Sequence, residues 1–224
     1  MNTLDDLSDY PFNRFPITFT IWLFCPRRPM EVQSILKNIG KHIQLSDDER
    51  SYFVSVLKYK EISRKEFLLK EGEVAKQIYF IQSGALQAYY LDTQSTENII
   101  MLAIDDWWIT DMYSFAMGKP AMQYIAAIED CKLFQLSKSD FDKLLIKVPA
   151  FERFFRILMQ NAYIREQLRI IQNLSLPAEE RYLNFLKKYP QLVQRVTQKQ
   201  IASYIGVSPE FLSAMRRRLK RNIS

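Results

Sequence analysis

Cysteine and histidine are almost absent from this chain, and each shortage closes a class of function. Its 224 residues hold two cysteines, Cys25 and Cys131, and one histidine, His42. Two distant cysteines exclude a disulfide framework, a cysteine-rich zinc site and a four-cysteine cluster. One imidazole leaves little for metal ligation or acid–base relay, and His42 is expected to be an ordinary solvated residue after a turn. No nucleophile–base pairing, metal-ligand spacing or glycine-rich phosphate loop occurs, so neither a catalytic residue nor a metal site is expected and an enzyme has no support. Glycine is scarce too. The five, at positions 40, 72, 84, 118 and 206, all fall at predicted turns, which suggests a backbone need such as positive φ. Long apolar runs are missing: Ile17 to Cys25 is about half of a bilayer-spanning helix. A positively charged start with a cleavage site is also lacking. A cytoplasmic protein with no membrane partner is expected.

What is present is a large apolar fraction, 48%, enough for a sizeable core. The charge is unevenly placed. Arg181 to Ser224 holds ten Lys or Arg and one acid, Glu210, for +9, which leaves −3 to the rest of a chain of net charge +6. A basic terminal module on a mildly acidic body is the footprint of a nucleic-acid binder. Its Leu, Ile, Val and aromatic content argues against a disordered tail. At the other end, residues 1–29 contain Pro11, Pro16, Pro26 and Pro29 without a steady period, and read as a poorly ordered, dispensable extension. Met30 looks like a natural second beginning.

From Met30 to Ile43 apolar residues recur at helical spacing, with Gly40 as a stop. Ser46 and Glu49 form a capping box for a second short helix through Phe53, Val56 and Leu57. After Tyr59 short apolar runs alternate with turn residues. Strands are predicted at Phe67 to Leu69, Ile78 to Ile81 and Ala85 to Leu91, the last in a hairpin with Asn98 to Ile104. Further strands fall at Tyr124 to Ile128 and Leu133 to Leu136. Such regular spacing suggests a small β-barrel or roll. Ser137 to Asp140 opens a helix that ends near Pro149.

A long helix is predicted from Phe151 to Leu174. Phe154, Ile157, Asn161, Ile164, Leu168 and Ile171 alternate at spacings of three and four, a dimer seam with one polar member that would fix register. Phe151, Phe155, Leu158 and Ala162 form a second stripe, so packing on its own domain is the alternative. Pro177 suits the first turn of the next helix, and Pro190 is expected to end it.

The most specific pattern runs from Thr197 to Leu219. Thr197 and Gln200 form a capping box, Ala202 is small where helices cross, and Gly206 permits a left-handed turn. Ser208 can cap a second helix, with Pro209 at its first position. Leu212, Met215 and Leu219 face back toward Ile201 and Ile205. Two short helices at a sharp angle, the second basic, make a helix-turn-helix. The alternatives are a membrane-surface helix, which Ser208-Pro209-Glu210 opposes, and helices that bind an acidic protein partner.

With these residues in place, Met30 to Ser224 resembles the Crp/Fnr family of regulators, nearest to short forms common in Bacteroidetes. The matching stretches are Glu71-Gly72-Glu73 with Ile78 to Gly84, Asp105 to Phe115, Phe151 to Ala162, Glu180 to Leu183, and Ile201 to Leu219. The resemblance implies an α+β fold: a cyclic-nucleotide-binding-like β-roll with flanking helices (30–149), a dimerisation helix (150–175) and a winged helix-turn-helix (176–224). Only five residues follow Leu219, so the second strand pair of a full wing is not expected. The implied function is a homodimeric transcription regulator that binds double-stranded DNA, with RNA polymerase as a further partner. DNA contacts are expected from Thr197, Gln198, Ser208, Pro209, Glu210, Ser213, Arg216, Arg217, Arg218 and Lys220. The family's frequent arginine is replaced by Ala214.

The sensor departs from the family as well. Cyclic-AMP-binding members carry Gly-Glu and Arg-Ser pairs, whereas the corresponding stretches here read Ile109-Thr-Asp-Met112 and Gly118-Lys-Pro-Ala-Met-Gln123. Without the phosphate-binding arginine, cyclic AMP is not expected as effector; Lys119 is a weak substitute for a bidentate fork. Too few cysteines and one histidine argue against an iron–sulfur cluster or haem, so no cofactor is predicted and the effector is unknown. A pocket for another small molecule would be lined by Trp107, Trp108, Thr110, Tyr113 and Lys119.

Overall fold

The computed structural model describes residues 32–221, with side chains as far as Leu219. The extension 1–29, Cys25, Met30 and the Lys220 side chain lie outside what is described.

Eight short strands build two antiparallel sheets. One runs in the order β1 (Lys58–Ile62), β8 (Cys131–Ser137), β3 (Gln77–Ser83), β6 (Trp108–Ile109). The other runs β2 (Phe67–Leu69), β7 (Tyr124–Ala127), β4 (Leu86–Leu91), β5 (Glu97–Ala103). Apart from the β4–β5 pair, neighbours in each sheet are not consecutive in the chain, as in a jelly roll rather than a meander. The predicted hairpin is present, with Tyr90 opposite Asn98 and Leu91 opposite Glu97. Turn residues decide where the chain reverses. Gly84, at φ 113°, lies so close to Cys131 that an added Cβ would meet its Sγ at 2.5 Å. Gly40, by contrast, ends a helix without a positive φ, so a left-handed need is not common to all five glycines.

The roll closes around Ile78, Phe80, Ile81, Leu86, Ile125, Leu133, Phe134 and Leu136, all buried. Helices seal its ends: α1 (Gln33–Gly40), α2 (Asp47–Val56), α3 (Met112–Met117) and α4 (Lys138–Lys147). Ser46 accepts from the Glu49 amide at 3.3 Å while Glu49 accepts from the Ser46 amide at 2.8 Å, the expected capping box. The long helix α5 spans Ala150–Ser175. Its first turns carry the second stripe inward, and Phe154 goes with it. Phe154 is fully buried, with ring centres 5.8 Å from Trp108, 5.1 Å from Phe155 and 6.1 Å from Phe151. It therefore belongs to the protomer's own core and not to the seam, because the helix enters the roll before it emerges. His42 is half-buried, its ring 6.0 Å from that of Phe154, so it is not a solvated residue.

Beyond α5 the chain is helical: α6 (Ala178–Lys188), α7 (Pro190–Val193), α8 (Gln198–Ile205) and α9 (Pro209–Arg221). Pro177 caps α6 rather than sitting inside it. Pro190 opens the one-turn α7, where its missing amide costs nothing. Among the described residues no strand follows β8, so the wing that the resemblance implies is not among them.

Candidate nucleic-acid interface and effector cavity

The helix pair α8–α9 is set by local chemistry. Thr197 accepts from the Gln200 amide at 3.3 Å and the Gln200 side chain accepts from the Thr197 amide at 2.8 Å, which satisfies orphan amides at the start of α8. Gly206 terminates α8 in the left-handed region at φ 73°. Ser208 then accepts from the Phe211 amide at 3.1 Å. Ile201, Ala202, Ile205, Leu212 and Met215 are buried between the helices.

That packing fixes which side of α9 faces outward. Glu210, Ser213, Ala214 and Arg217 are exposed and lie within about one third of the helix circumference. Thr197, Gln198, Ser208 and Pro209 are exposed as well. Arg216 is half-buried on the other flank, and Arg218 donates to Glu179 of α6 at 3.2 Å. The three consecutive arginines thus point three ways, with Arg217, not Arg216, beside Glu210 and Ser213. Phe211 is 51% exposed in the first turn of α9, a position the sequence reading passed over. Its signal was an aromatic residue one step away from the i, i+3, i+7 stripe of Leu212, Met215 and Leu219.

The helix pair does not stand apart from the roll. Helix α8 lies along β5, the outermost strand of its sheet. The Ser203 hydroxyl accepts from the Ile99 amide at 2.8 Å and donates to the Glu97 carbonyl at 2.9 Å. Gln200 donates to Gln87 at 2.8 Å, and Arg169 of α5 donates to the Ile99 carbonyl at 3.3 Å. Arg195 bridges two carboxylates of the roll, Asp105 at 2.8 Å and Glu129. These bonds hold its guanidinium charge beyond the ordinary range. One apolar cluster runs across the junction, joining Tyr89, Ile99 and Leu102 to Tyr182, Phe185 and Ile201.

Along the far half of α5 the seam residues emerge. Ile164 is 51% exposed and Leu168 46%, with Ile171 and Asn161 also exposed and Ile157 half-buried. Tyr163, Ile170 and Leu174 add further exposed apolar surface.

Between α5 and the roll lies a cavity of about 400 Å³. Trp107, Trp108 and Thr110 line it as expected, with Ile109, Met101 and Leu158 as apolar wall. Tyr113 and Lys119 do not. Tyr113 sits on the outer side of α3, whose inner side is Ser114 and Phe115, and Lys119 is exposed beyond Gly118. Asn38, His42, Gln123 and Asn161 line the cavity too, contributed from three separate stretches of the chain that no local sequence signal brings together. The rim is held by a network. Asp106, at φ 69°, accepts from Asn38 at 2.9 Å through both its carbonyl and its carboxylate. Asp106 also pairs with Lys41, and Trp108 donates to Asn38 at 3.0 Å. The charged groups on the lining are Asp106, Glu166 and Arg165, and Arg165 is already paired with Glu166 at 3.3 Å and stacked over Trp107 at 5.1 Å.

Residues 59–147 match the family model described as the cyclic nucleotide-binding domain. The chain is similar to the regulatory protein HlyX of Actinobacillus pleuropneumoniae, 21% identical over 192 residues, which span 80% of this chain and 78% of that one. Its fold is shared with the c-di-GMP responsive global regulator CLP of Xanthomonas campestris, at a TM-score of 0.66 and 13% identity over 79% of this chain and 93% of that one. It is also shared with a protein of Eubacterium rectale assigned to the crp/fnr family of transcriptional regulators, at a TM-score of 0.63 and 14% identity over 80% and 85% of the two chains. Among the described residues no helix is long and apolar enough to cross a membrane.

Proposed function

We propose that the chain is a transcription regulator of the Crp/Fnr type, a cytoplasmic homodimer that reads double-stranded DNA through α9 under control of its roll cavity. The observation that carries this reading is the outward face of α9. Glu210, Ser213, Ala214 and Arg217 form a polar face with one small residue, on a helix whose other side is fully occupied by packing. A helix of that kind fits the major groove, where glutamate accepts from cytosine N4 and arginine donates to guanine. Phe211, beside this face, suits contact with a thymine methyl. The exposed stripe of Ile164, Leu168 and Ile171 supports pairing through α5, since a dimer gives two half-site readers.

The cavity supports an effector other than a cyclic nucleotide. Two carboxylates against one guanidinium give its lining no spare cation for a phosphate, while its apolar wall suits a largely uncharged molecule. The test is selection of bound duplexes from a random pool, followed by binding at several salt concentrations. A recovered two-fold-related motif with affinity that falls as salt rises supports the reading. No enrichment, together with salt-insensitive binding, sinks it and leaves a protein partner for the basic helices.

A further inference from the structure

We propose that the cleft where α5 meets α6 and the end of α8 is a binding site for the phosphate group of a small molecule, next to the roll cavity and sharing Arg165 with it. Four cations line it: Arg165 and Arg169 from α5, Arg181 and Lys188 from α6. No carboxylate does. One acid outside the lining, Glu166, bonds both Arg165, at 3.3 Å, and Arg169, at 3.0 Å, so these five groups together retain a charge of +3. Like charges held together in a partly dehydrated cleft are costly, and an oxyanion between them relieves that cost.

Arg181 is the cation of the cleft with hydrogen-bonding capacity left over. Its Nη1 donates to the Asn173 carbonyl at 2.9 Å, which pins the side chain. Its Nε is buried and has no hydrogen-bond partner among the described residues. A buried donor without a partner is costly, and the Nε–Nη edge of a guanidinium is the fork that grips phosphate with two parallel bonds. The surroundings are ordered in advance, since the Arg169 guanidinium lies 5.0 Å from the centre of the Tyr204 ring. Burial, reinforced by Tyr189, raises the Tyr204 pKa well above the ordinary tyrosine range, so its phenol stays neutral beside the anion. The space is about 40 Å³. A single water needs roughly 10–15 Å³ of such space, so one tetrahedral oxyanion fits. The cleft lies at the C-terminal end of α8, whereas the exposed Thr197 and Gln198 are at its other end. A bound phosphate would tie α5, α6 and α8 together, and would thus couple a metabolite to the pose of the DNA-reading helices.

The test is titration of the full chain with inorganic phosphate and with pyrophosphate at constant ionic strength, followed by calorimetry and phosphorus line broadening. Saturable binding at one site per chain is expected, about tenfold weaker in Arg181→Met and unchanged in Lys143→Ala. Arg181→Lys, which keeps the charge and loses the fork, should fall between. Unsaturable uptake, or equal binding by Arg181→Met, overturns the proposal. If Arg181→Met instead leaves phosphate binding intact but lowers the salt dependence of random-duplex binding, the cleft serves the DNA backbone and the proposal fails. Should Arg181→Met not fold, Lys188→Met carries the same comparison. A chain that binds phosphate here but no DNA would overturn the function proposed above and leave this site standing.

Discussion

The backbone amide of Ile99 donates to the side chain of Ser203 across 104 residues of sequence, at 2.8 Å. One partner is on the outermost strand of the roll and the other in the first helix of the helix-turn-helix. Ser203→Ala should leave the Ile99 amide and the Glu97 carbonyl without partners, at a cost of about 1–3 kcal/mol. Chemical denaturation should report the loss. Hydrogen exchange should quicken at Ile99 more than at Ile81 in the core, and equal protection in the variant would mean the contact contributes nothing.

Ile164 and Leu168 should hold two chains together, and Phe154 should not. Changing Ile164 and Leu168 together to Glu is expected to give monomers by sedimentation and to abolish tight DNA binding. Phe154→Ala should instead destabilise the fold by about 3–5 kcal/mol while the folded fraction stays dimeric. A dimeric double variant would sink the seam.

On α9, Glu210→Ala should relax base preference at one position of each half-site by about 1–3 kcal/mol. Phe211→Ala should remove the difference between operators carrying thymine and uracil. Arg218 is already engaged by Glu179, so Arg218→Ala should weaken all sequences alike, and less than Arg217→Ala does. Affinities measured over mutated operators check all three, and an altered base preference in Arg218→Ala would show the helix rotated.

Cyclic AMP and cyclic GMP should not bind. The cavity lining holds Asp106 and Glu166 against Arg165 alone, and Lys119 lies outside it. Calorimetry that found micromolar binding of either nucleotide would overturn this.

Alkaline pH should destabilise the fold. Burial raises the Cys131 thiol from 9.0 to about 11 and the Tyr79 phenol from 10.0 to about 12. Both groups are acids that the folded state prefers protonated. Their contribution is intact below the unfolded values and is lost as pH rises from about 9 through the folded ones. Denaturation midpoints measured from pH 7 to 11 should fall over that window, and a Cys131→Ala variant should show a shallower decline. An identical slope in that variant would remove the thiol from the account.

What could be read from the sequence was what local chemistry decides. The boxes at Ser46 and Thr197, the turn at Gly206 and the start at Pro209 each depend on neighbours a few residues away. The β4–β5 hairpin followed from the turn between them. What stayed hidden depends on distant partners. Nothing in the sequence pairs Arg195 with Asp105 and Glu129, or marks Ser203 as more than a polar residue on a helix. In the sequence Phe154 reads as a seam residue because the two apolar stripes of α5 repeat at the same spacing. The cavity was half legible: Trp107, Trp108 and Thr110 are close in sequence, whereas Asn38 and Asn161 reach it only through folding. Tyr113 lies off the cavity because the short α3 turns Ser114 and Phe115 inward and carries Tyr113 outward.

The position of α8 along β5 has a consequence for solubility. An outermost strand whose polar backbone is uncovered is a template for pairing with another chain. Here Ser203 and Arg169 occupy that backbone at Glu97 and Ile99. Any movement that lifts α8 and α9 from the roll would also open a sticky edge flanked by Ile99 and Ile100. Free, unbound chains in a lifted state would be prone to aggregate. That hazard selects against a long-lived open form and favours release only while something else, such as DNA or a second subunit, holds the chains apart.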